Sequence, residues 1–248
     1  LARQLSELSA LGAPFDVYRA EDLPALADRD GLGQYHLWVF LDALHVGPET
    51  RQTVAERLAR NGRTLLWIYA AGAALPDRLS AEAASELMGI RIRLDDRVGD
   101  LLAETDLTGQ RLIYGTDREV GPIPVGDDTG AVVRGHLLYR GEPALLEKDQ
   151  GDWRSIWSAA PALPAAVLRI FARQAGVHVY VERGDQVLAR GDLLALHARS
   201  NGDVRVHLRA RADVTDALTD APLARDAREL TLTTRRGQTL LLRLTPRS

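Results

Sequence analysis

Two nearly continuous apolar segments constrain the fold of this chain more than any other feature of its sequence. They are residues 35–41 (YHLWVFL) and residues 64–69 (TLLWIY), and both are rich in aromatic and β-branched residues. A strand with one exposed face alternates polar and apolar residues, whereas a continuous apolar strand is typical of a parallel sheet covered on both faces. Because parallel strands need long crossover connections, the two segments predict a layered α/β structure.

Helix signals separate the predicted strands, because apolar residues recur at helical spacing between proline or capping residues and terminal glycines. The predicted helices run from residue 1 to Gly12, from Pro48 to Asn61-Gly62, from Ser80 to Gly89 and from Pro164 to Gly176. Further short strands are predicted at residues 15–18, 90–94, 132–139, 144–147, 152–158 and 177–181. Residues 95–130 contain several glycine and proline turns, so we predict mostly irregular connection with short strands there.

The alternation of strands and helices stops near residue 181. Up to that point it predicts a doubly wound, mostly parallel sheet. Beyond it, short strand patterns follow one another with turn signals between them, at residues 186–188, 193–198, 204–208, 229–233 and 239–244. We therefore expect an α/β domain over residues 1–185 and a small antiparallel, β-sandwich-like domain over residues 186–248.

Composition excludes several classes of function. The chain has no cysteine, which excludes disulfides, thiolate metal ligands, iron–sulfur clusters and a cysteine nucleophile. The net charge is −3, and the basic excess of residues 186–248, 11 against 7 acidic residues, is too dilute for a nucleic-acid interface. No apolar run approaches the roughly 20 residues that span a bilayer, and no signal peptide opens the chain. We expect a cytoplasmic protein with no membrane partner; Leu1 is not a natural start, so further sequence is expected upstream.

Several sequence stretches occur together in a characteristic order. They are Gly12-Ala-Pro-Phe-Asp16, Glu21-Asp-Leu23, Trp38-Val-Phe-Leu41, Asn61-Gly-Arg-Thr-Leu-Leu-Trp-Ile-Tyr69, Ser158-Ala-Ala-Pro161 and Ala175-Gly-Val-His-Val-Tyr180. In order and spacing they resemble the trimerisation domain of family 42 β-galactosidases and of related large glycoside hydrolases. Residues 195–198 (ALHA) and 212–216 (ADVTD) resemble the small C-terminal β domain that follows it in that family. The resemblance covers nearly the whole chain.

This resemblance implies a flavodoxin-like fold of the class I glutamine amidotransferase type, followed by a small β domain. It also implies a partner, a catalytic TIM barrel that carries the two glycosidic carboxylates, and a homo-oligomer, with a trimer favoured. In the family a strand precedes the helix that opens this sequence. The resemblance therefore implies that the sheet lacks its first strand and that a neighbouring segment covers the exposed edge.

The candidate site lies at the carboxyl ends of the predicted parallel strands, where open α/β sheets bind ligands. Three loops are expected to converge there, at residues 42–45, 70–74 and 158–161. In amidotransferase-like hydrolases the nucleophile occupies the turn after a central strand, which here reads Tyr69-Ala70-Ala71-Gly72. Alanine cannot be ionised and cannot attack a substrate, so we expect no catalytic residue in this turn.

Four side chains are candidates to line a pocket at this edge: Asp42, His45, Tyr69 and Ser158. Asp42 and His45 could form an acid–base pair, because a carboxylate fixes the tautomer of an imidazole and raises its pKa. The alternative is that Asp42 caps the helix that begins at Pro48. The sequence alone leaves both interpretations open.

Trp153 and Trp157 alternate on one face of a predicted strand. Aromatic rings stack on sugars, so a sugar-binding surface is one interpretation and core packing is the other. The acidic groups Asp95, Asp96, Asp100 and Asp127, Asp128 lack the spacing of a calcium loop, and His178, His197 and His207 are predicted to be packed or surface histidines. Gly31 and Gly33 precede a strand rather than follow one, which is the wrong context for a dinucleotide site. We predict no metal and no cofactor.

Three functions from different classes follow. The first is a non-catalytic structural and oligomerisation module of a β-galactosidase-like glycoside hydrolase. The second is a stand-alone hydrolase of amidotransferase-like fold that uses Asp42 and His45. The third is a carbohydrate-binding module that uses Trp153 or Trp157.

Overall fold

Strands dominate the residues that the computed structural model describes, 2–28 and 32–247. The helices of these residues are α1 (Ala2–Ser9), α2 (Leu23–Asp28), α3 (Pro48–Thr53), α4 (Ala81–Met88) and α5 (Ala165–Gln174). A 3₁₀ turn, Ala20–Asp22, precedes α2, and a π-helical turn, Val54–Leu58, continues α3. The strands are β1 (Leu37–Phe40), β2 (Arg63–Ile68), β3 (Ile92–Asp95), β4 (Gly99–Thr105), β5 (Leu112–Val120), β6 (Ile123–Gly126), β7 (Val132–Leu137), β8 (Pro143–Asp149), β9 (Trp153–Ser158), β10 (Gln186–Arg190), β11 (Leu193–His197), β12 (Gly202–Asp216), β13 (Pro222–Thr234) and β14 (Thr239–Pro246).

The largest element is a mixed seven-stranded sheet in the order β1-β2-β9-β8-β7-β4-β5. The β1–β2 and β2–β9 pairs are parallel, whereas the β9–β8, β8–β7, β7–β4 and β4–β5 pairs are antiparallel. Strands make up 42% of the described residues and helices 19%. The prediction of a flavodoxin-like, amidotransferase-type α/β fold followed by a small β domain is therefore wrong.

The error has a physical cause in the middle of the chain. A doubly wound sheet needs a helix between successive strands, but seven strands, β3 to β9, follow α4 before α5 begins. They pair as hairpins and short crossovers, which favours antiparallel neighbours. Residues 95–130 were predicted to be mostly irregular, yet they form β4, β5 and β6. Glycine and aspartate residues interrupt the strand pattern there, and β5 (LIYGTDREV) does not alternate regularly between apolar and polar residues.

Two predicted strands do not form. Residues 15–18 and 177–181 have no strand structure. In the second case the backbone N–H of Tyr180 donates to the carbonyl oxygen of Gly12 at 2.8 Å, and the carbonyl oxygen of Tyr180 accepts from the N–H of His207 in β12 at 2.8 Å. The segment therefore joins the loop after α1 to β12 without forming a strand of its own. Local apolar composition predicted an extended chain but could not show where its hydrogen bonds go.

Helix boundaries follow the predicted capping chemistry. Ser80 is the N-cap of α4, and its hydroxyl accepts a hydrogen bond from the N–H of Ala83 at 3.0 Å. Gly89 ends the same helix with φ +67°, a left-handed conformation that favours glycine. Asn61 and Gly62, with φ of +59° and +69°, reverse the chain between the π-helical turn and β2.

The chain divides into two compact units. One comprises residues 2–4 and 17–167, and its core lies in the seven-stranded sheet, where Leu65, Leu66, Trp67 and Trp157 are fully buried. The other comprises residues 5–16 and 168–247. It contains an antiparallel sheet in the order β10-β11-β14-β12-β13, and its core includes Val187, Leu194, Leu196, Val206, Val214 and Leu242. The domain boundary at residue 185 stays a prediction.

Candidate functional site

The predicted site loops follow three neighbouring parallel strands. Because β1, β2 and β9 are adjacent and parallel, their carboxyl ends lie at one edge of the sheet. Asp42 comes two residues after β1, Tyr69 directly follows β2, and Ser158 ends β9. The backbone N–H of Tyr69 donates to the carbonyl oxygen of Ser158 at 2.8 Å, which joins two of these loops directly.

Tyr69 occupies the sharp turn after the central parallel strand. Its φ is +65°, which is unusual for a residue with a side chain. Its hydroxyl donates to the carbonyl oxygen of Pro122, and its carbonyl oxygen accepts a hydrogen bond from the indole N–H of Trp157 at 2.6 Å. Burial raises the pKa of the phenol, so the hydroxyl stays protonated at neutral pH. Tyr69 therefore fixes the turn through its hydrogen bonds.

Ser158 is fully buried, and its hydroxyl has no base beside it among the described residues. The hydroxyl donates to the carbonyl oxygen of Ala160 at 2.8 Å and lies 3.2 Å from the hydroxyl oxygen of Tyr114. Burial raises the pKa of Tyr114 although the hydrogen bond with Ser158 opposes this shift, so the phenol is neutral. A serine needs a base to become a nucleophile, and a neutral phenol is not one.

Asp42 and His45 are both exposed. Asp42 adopts φ +50°, and the Nδ1 atom of His45 lies 3.2 Å from the carbonyl oxygen of Ala74. The N-cap residue of α3 is Gly47, which has no side chain that could make a capping hydrogen bond. Whether Asp42 and His45 take part in a function stays a prediction.

Arg51 holds these loops together, and the sequence analysis did not identify it. Its guanidinium donates to three carbonyl oxygens: Val46 at 3.0 Å, Ala83 at 2.9 Å, and Gly72. The loops after β1 and β2 are also joined by hydrogen bonds from the N–H of Gly72 to Ala43 and from that of Ala74 to Leu44, both at 2.8 Å. No sequence signal marks Arg51, because a helical arginine bound to loop carbonyls looks like any solvated one.

The two tryptophans of β9 differ in accessibility. Trp157 is fully buried, so a sugar cannot reach its ring in this conformation. Trp153 is half-buried, and Gly89 at the end of α4 lies close to its ring. On the same face, the hydroxyl of Ser155 donates to the carbonyl oxygen of Met88 and accepts from the indole N–H of Trp67 at 3.1 Å. The polar atoms of this face thus serve to pack α4 on the sheet.

The predicted acidic turns are tied to basic groups. Hydrogen bonds from Arg97 hold the pKa of Asp95 well below its ordinary value. Burial opposes ionisation of Asp128, but hydrogen bonds, first of all from Lys148, outweigh it and lower its pKa. Across residues 2–28 and 32–247, no group of three or more histidine, aspartate or glutamate residues is arranged to hold a metal ion.

The three histidines that were predicted to be packed or at the surface lie in the second unit. The Nε2 atom of His178 is 2.9 Å from the carbonyl oxygen of His207, and the Nδ1 atom of His197 is 2.9 Å from the hydroxyl oxygen of Thr239. Burial lowers the pKa of His178.

None of the helices described is both long enough and apolar enough to cross a lipid bilayer.

Known proteins match this chain in structure, whereas searches by sequence find no match. No known family's sequence profile matches the chain, and no curated protein matches it by sequence. Its structure is similar to the β-galactosidase from Bacillus circulans sp. alkalophilus, with a TM-score of 0.70, 15% identity, and coverage of 98% of this chain and 37% of that chain. β-Galactosidases from the psychrophilic Marinomonas ef1 and the Antarctic haloarchaeon Halorubrum lacusprofundi both give a TM-score of 0.62, with 15% and 16% identity. Each covers 98% of this chain, which spans 33% and 35% of their lengths.

At these identities the similarity establishes a shared fold. The structural neighbours confirm the predicted relation to β-galactosidases at that level, whereas flavodoxin-like and amidotransferase-like descriptions are not supported. The chain has the fold of a segment about a third as long as the β-galactosidase chains it resembles.

Proposed function

We propose that this chain is a non-catalytic structural and oligomerisation module of a β-galactosidase-like glycoside hydrolase, working beside a catalytic TIM barrel. The observation that carries the proposal is coverage: 98% of the chain superposes on each of three β-galactosidases, in a segment about a third of their length. The barrel and the trimeric state come from the sequence resemblance. Both are part of the proposal.

The chemistry of the strand edge supports a structural role. The Tyr69 and Ser158 hydroxyls donate to backbone carbonyl oxygens, and the Arg51 guanidinium donates to three more. A catalytic edge presents a nucleophile, a base and a site for a reacting atom within hydrogen-bond reach of one another. Here the polar groups are used to join loops.

A hydrolysis assay on the purified chain tests the absence of catalysis. With a chromogenic β-galactoside, we expect no release of the chromophore above the rate in buffer. Hydrolysis that disappears in Asp42→Ala and in His45→Ala, but persists in the exposed-residue control Asp77→Ala, would instead establish the stand-alone hydrolase. Titration calorimetry with lactose separates the third function, because binding heat that is lost in Trp153→Ala would indicate a sugar-binding module.

Within this proposal, the oligomer contact lies at the turn between β7 and β8. Tyr139 in this turn is 87% exposed and adopts φ +68°, a conformation that costs a non-glycine residue about 1–3 kcal/mol. Val98, in the adjoining turn before β4, is 66% exposed. Glu142 binds Arg93 at 2.7 Å and Arg97 at 3.2 Å, which fixes the surrounding surface. Exposed tyrosine beside arginine is typical of interface hot spots.

Light scattering on the chain tests oligomerisation. We expect a mass near three times 27.2 kDa that falls in Tyr139→Ser. The matched control is Leu218→Ser, on a turn of the other unit, because Leu218 is 78% exposed and its replacement should leave the mass unchanged. A monomer at every concentration tested would remove oligomerisation from the proposal.

A further inference from the structure

A polar cavity of about 380 Å³ lies within the second unit. Its wall includes Ser6 and Ser9 of α1, Gln186 at the start of β10, His197 at the end of β11, and the arginines Arg199 and Arg236 of two turns. Its volume falls in the range of cavities that hold small ligands, roughly 300–1,000 Å³. Its lining includes none of the residues proposed for the strand-edge site, Asp42, His45, Tyr69 and Ser158.

The two turns that carry the arginines are fixed to one another and to the strands. The N–H of Ala198 donates to the carbonyl oxygen of Gln238 at 2.8 Å, and the N–H of Gly237 donates to that of Ala198 at 2.7 Å. The N–H of Arg236 donates to the side-chain oxygen of Asn201, also at 2.8 Å. These hydrogen bonds pre-organise the cavity wall, so that binding orders little additional backbone.

A buried carboxylate holds the turn at Arg199. Asp185 is fully buried, and it accepts hydrogen bonds from the N–H of Arg199 at 2.8 Å and from two guanidinium nitrogens of Arg183 at 2.8 and 3.1 Å. The charge of Asp185 is therefore neutralised by Arg183. Because Asp185 contacts only the backbone N–H of Arg199, it does not neutralise the charge of the Arg199 guanidinium.

The cavity carries uncompensated positive charge. No lining residue is acidic. Among the residues that the structure describes, neither Arg199 nor Arg236 has a carboxylate within 4.0 Å of its guanidinium or an acceptor bound to it. The side chains of Gln186 and Ser6 likewise have no hydrogen-bond partner in the described part of the chain. Two cations and two neutral hydrogen-bonding groups thus face a shared space without intramolecular partners.

We infer that this cavity binds a small oxyanion, a carboxylate or a phosphate group, through Arg199 and Arg236. The planar guanidinium matches both groups with paired N–H donors, and such charge-assisted hydrogen bonds are stronger than neutral ones. Gln186 and Ser6 supply further donors at the rim of the anion. The inference concerns the second unit alone and holds whether or not the chain assembles into oligomers.

Titration calorimetry on the full chain tests the inference, with inorganic phosphate and galacturonate as the two anionic probes and galactose as the neutral one. We expect saturable binding of at least one anion and none of galactose. The affinity should fall at least tenfold in Arg199→Gln/Arg236→Gln and should weaken as sodium chloride is added. Tighter phosphate binding identifies a phosphate site, and tighter galacturonate binding identifies a sugar-carboxylate site.

The matched control is Arg205→Gln/Arg228→Gln, which removes the same charge from exposed positions on β12 and β13 outside the cavity. It should bind the anion as the unmodified chain does. Circular dichroism establishes that both double variants are folded. Absence of saturable binding of either anion would overturn the inference, as would an equal loss of affinity in the control.

Discussion

The buried ion pair between Asp185 and Arg183 offers the sharpest test of the forces that hold the second unit together. Asp185 is fully buried and accepts three hydrogen bonds, two from Arg183 and one from the backbone of Arg199. Arg183 also donates to Thr234 at 2.8 Å and to Gly202 at 2.9 Å, and its side chain is 21% exposed. The pair joins the start of β10 to the turn before β12.

Replacing Asp185 by alanine leaves a largely buried guanidinium without its counter-charge. Removing one partner of a buried pair costs about 3–5 kcal/mol. Arg183 keeps its other acceptors and some contact with water, so we expect the lower end, about 3 kcal/mol. For a chain of this size that loss lowers the melting temperature by roughly 6–12 °C.

Urea unfolding followed by far-ultraviolet circular dichroism measures this loss of free energy. Asp192→Ala is the control, because Asp192 is 61% exposed and lies 4.0 Å from Arg243, so its loss costs under about 1 kcal/mol. The double variant Asp185→Ala/Arg183→Met should lose less unfolding free energy than the two single variants lose together. Each single variant leaves the other partner buried without its counter-charge, whereas the double variant removes both charges. A loss below about 1 kcal/mol in Asp185→Ala, or strict additivity in the double variant, would refute the argument.

Three further predictions concern stability. Gly12→Ala should lower the free energy of unfolding by at least about 2 kcal/mol, because Gly12 has φ +81° and an added Cβ would lie 1.7 Å from the carbonyl oxygen of Val181. Thermal unfolding measures this loss. Gly237→Ala is the control, because Gly237 also has φ +81° but no atom lies within 4 Å of an added Cβ, so this variant measures the backbone strain alone. Ser80→Ala should cost about 1 kcal/mol because it removes the cap on α4, whereas Ser80→Asp should restore most of it in the same urea titration. His178 is neutral in the folded protein because burial lowers its pKa, so its contribution is present above the ordinary pKa of about 6.5 and is lost as the pH falls through the lower, folded value. His178→Gln should therefore show a smaller decrease of unfolding free energy between about pH 7 and about pH 5 than the unmodified chain, and an equal decrease would contradict this assignment.

Local signals predicted much of the secondary structure. The apolar segment at residues 35–41 contains β1 and the segment at residues 64–69 overlaps β2, and the two strands pair in parallel as expected. Ser80 and Gly89 bound α4 because the cap hydrogen bond and the left-handed glycine involve only neighbouring residues. Such features depend on short-range geometry, which the sequence contains in full.

The sequence predicted the location of the candidate site but not the contacts of its side chains. Parallel strands bring their carboxyl ends to one edge, and the loops after β1, β2 and β9 lie there. The use of each polar group was not predictable, because it depends on partners far away in the sequence. Tyr69 binds Pro122, and Ser158 lies beside Tyr114.

The sequence by itself determined the approximate positions of α1, α3, α4 and α5, and it identified β1 and β2 as strands too apolar to face water. Only the tertiary structure decided that β9 joins β2 in parallel and β8 in antiparallel orientation, which makes the sheet mixed. It also decided that Arg183 neutralises Asp185 while Arg199 and Arg236 share a cavity without a carboxylate. The physical reason is range: propensity and capping act over about four residues, whereas strand order and charge pairing are set by contacts between segments far apart in the chain.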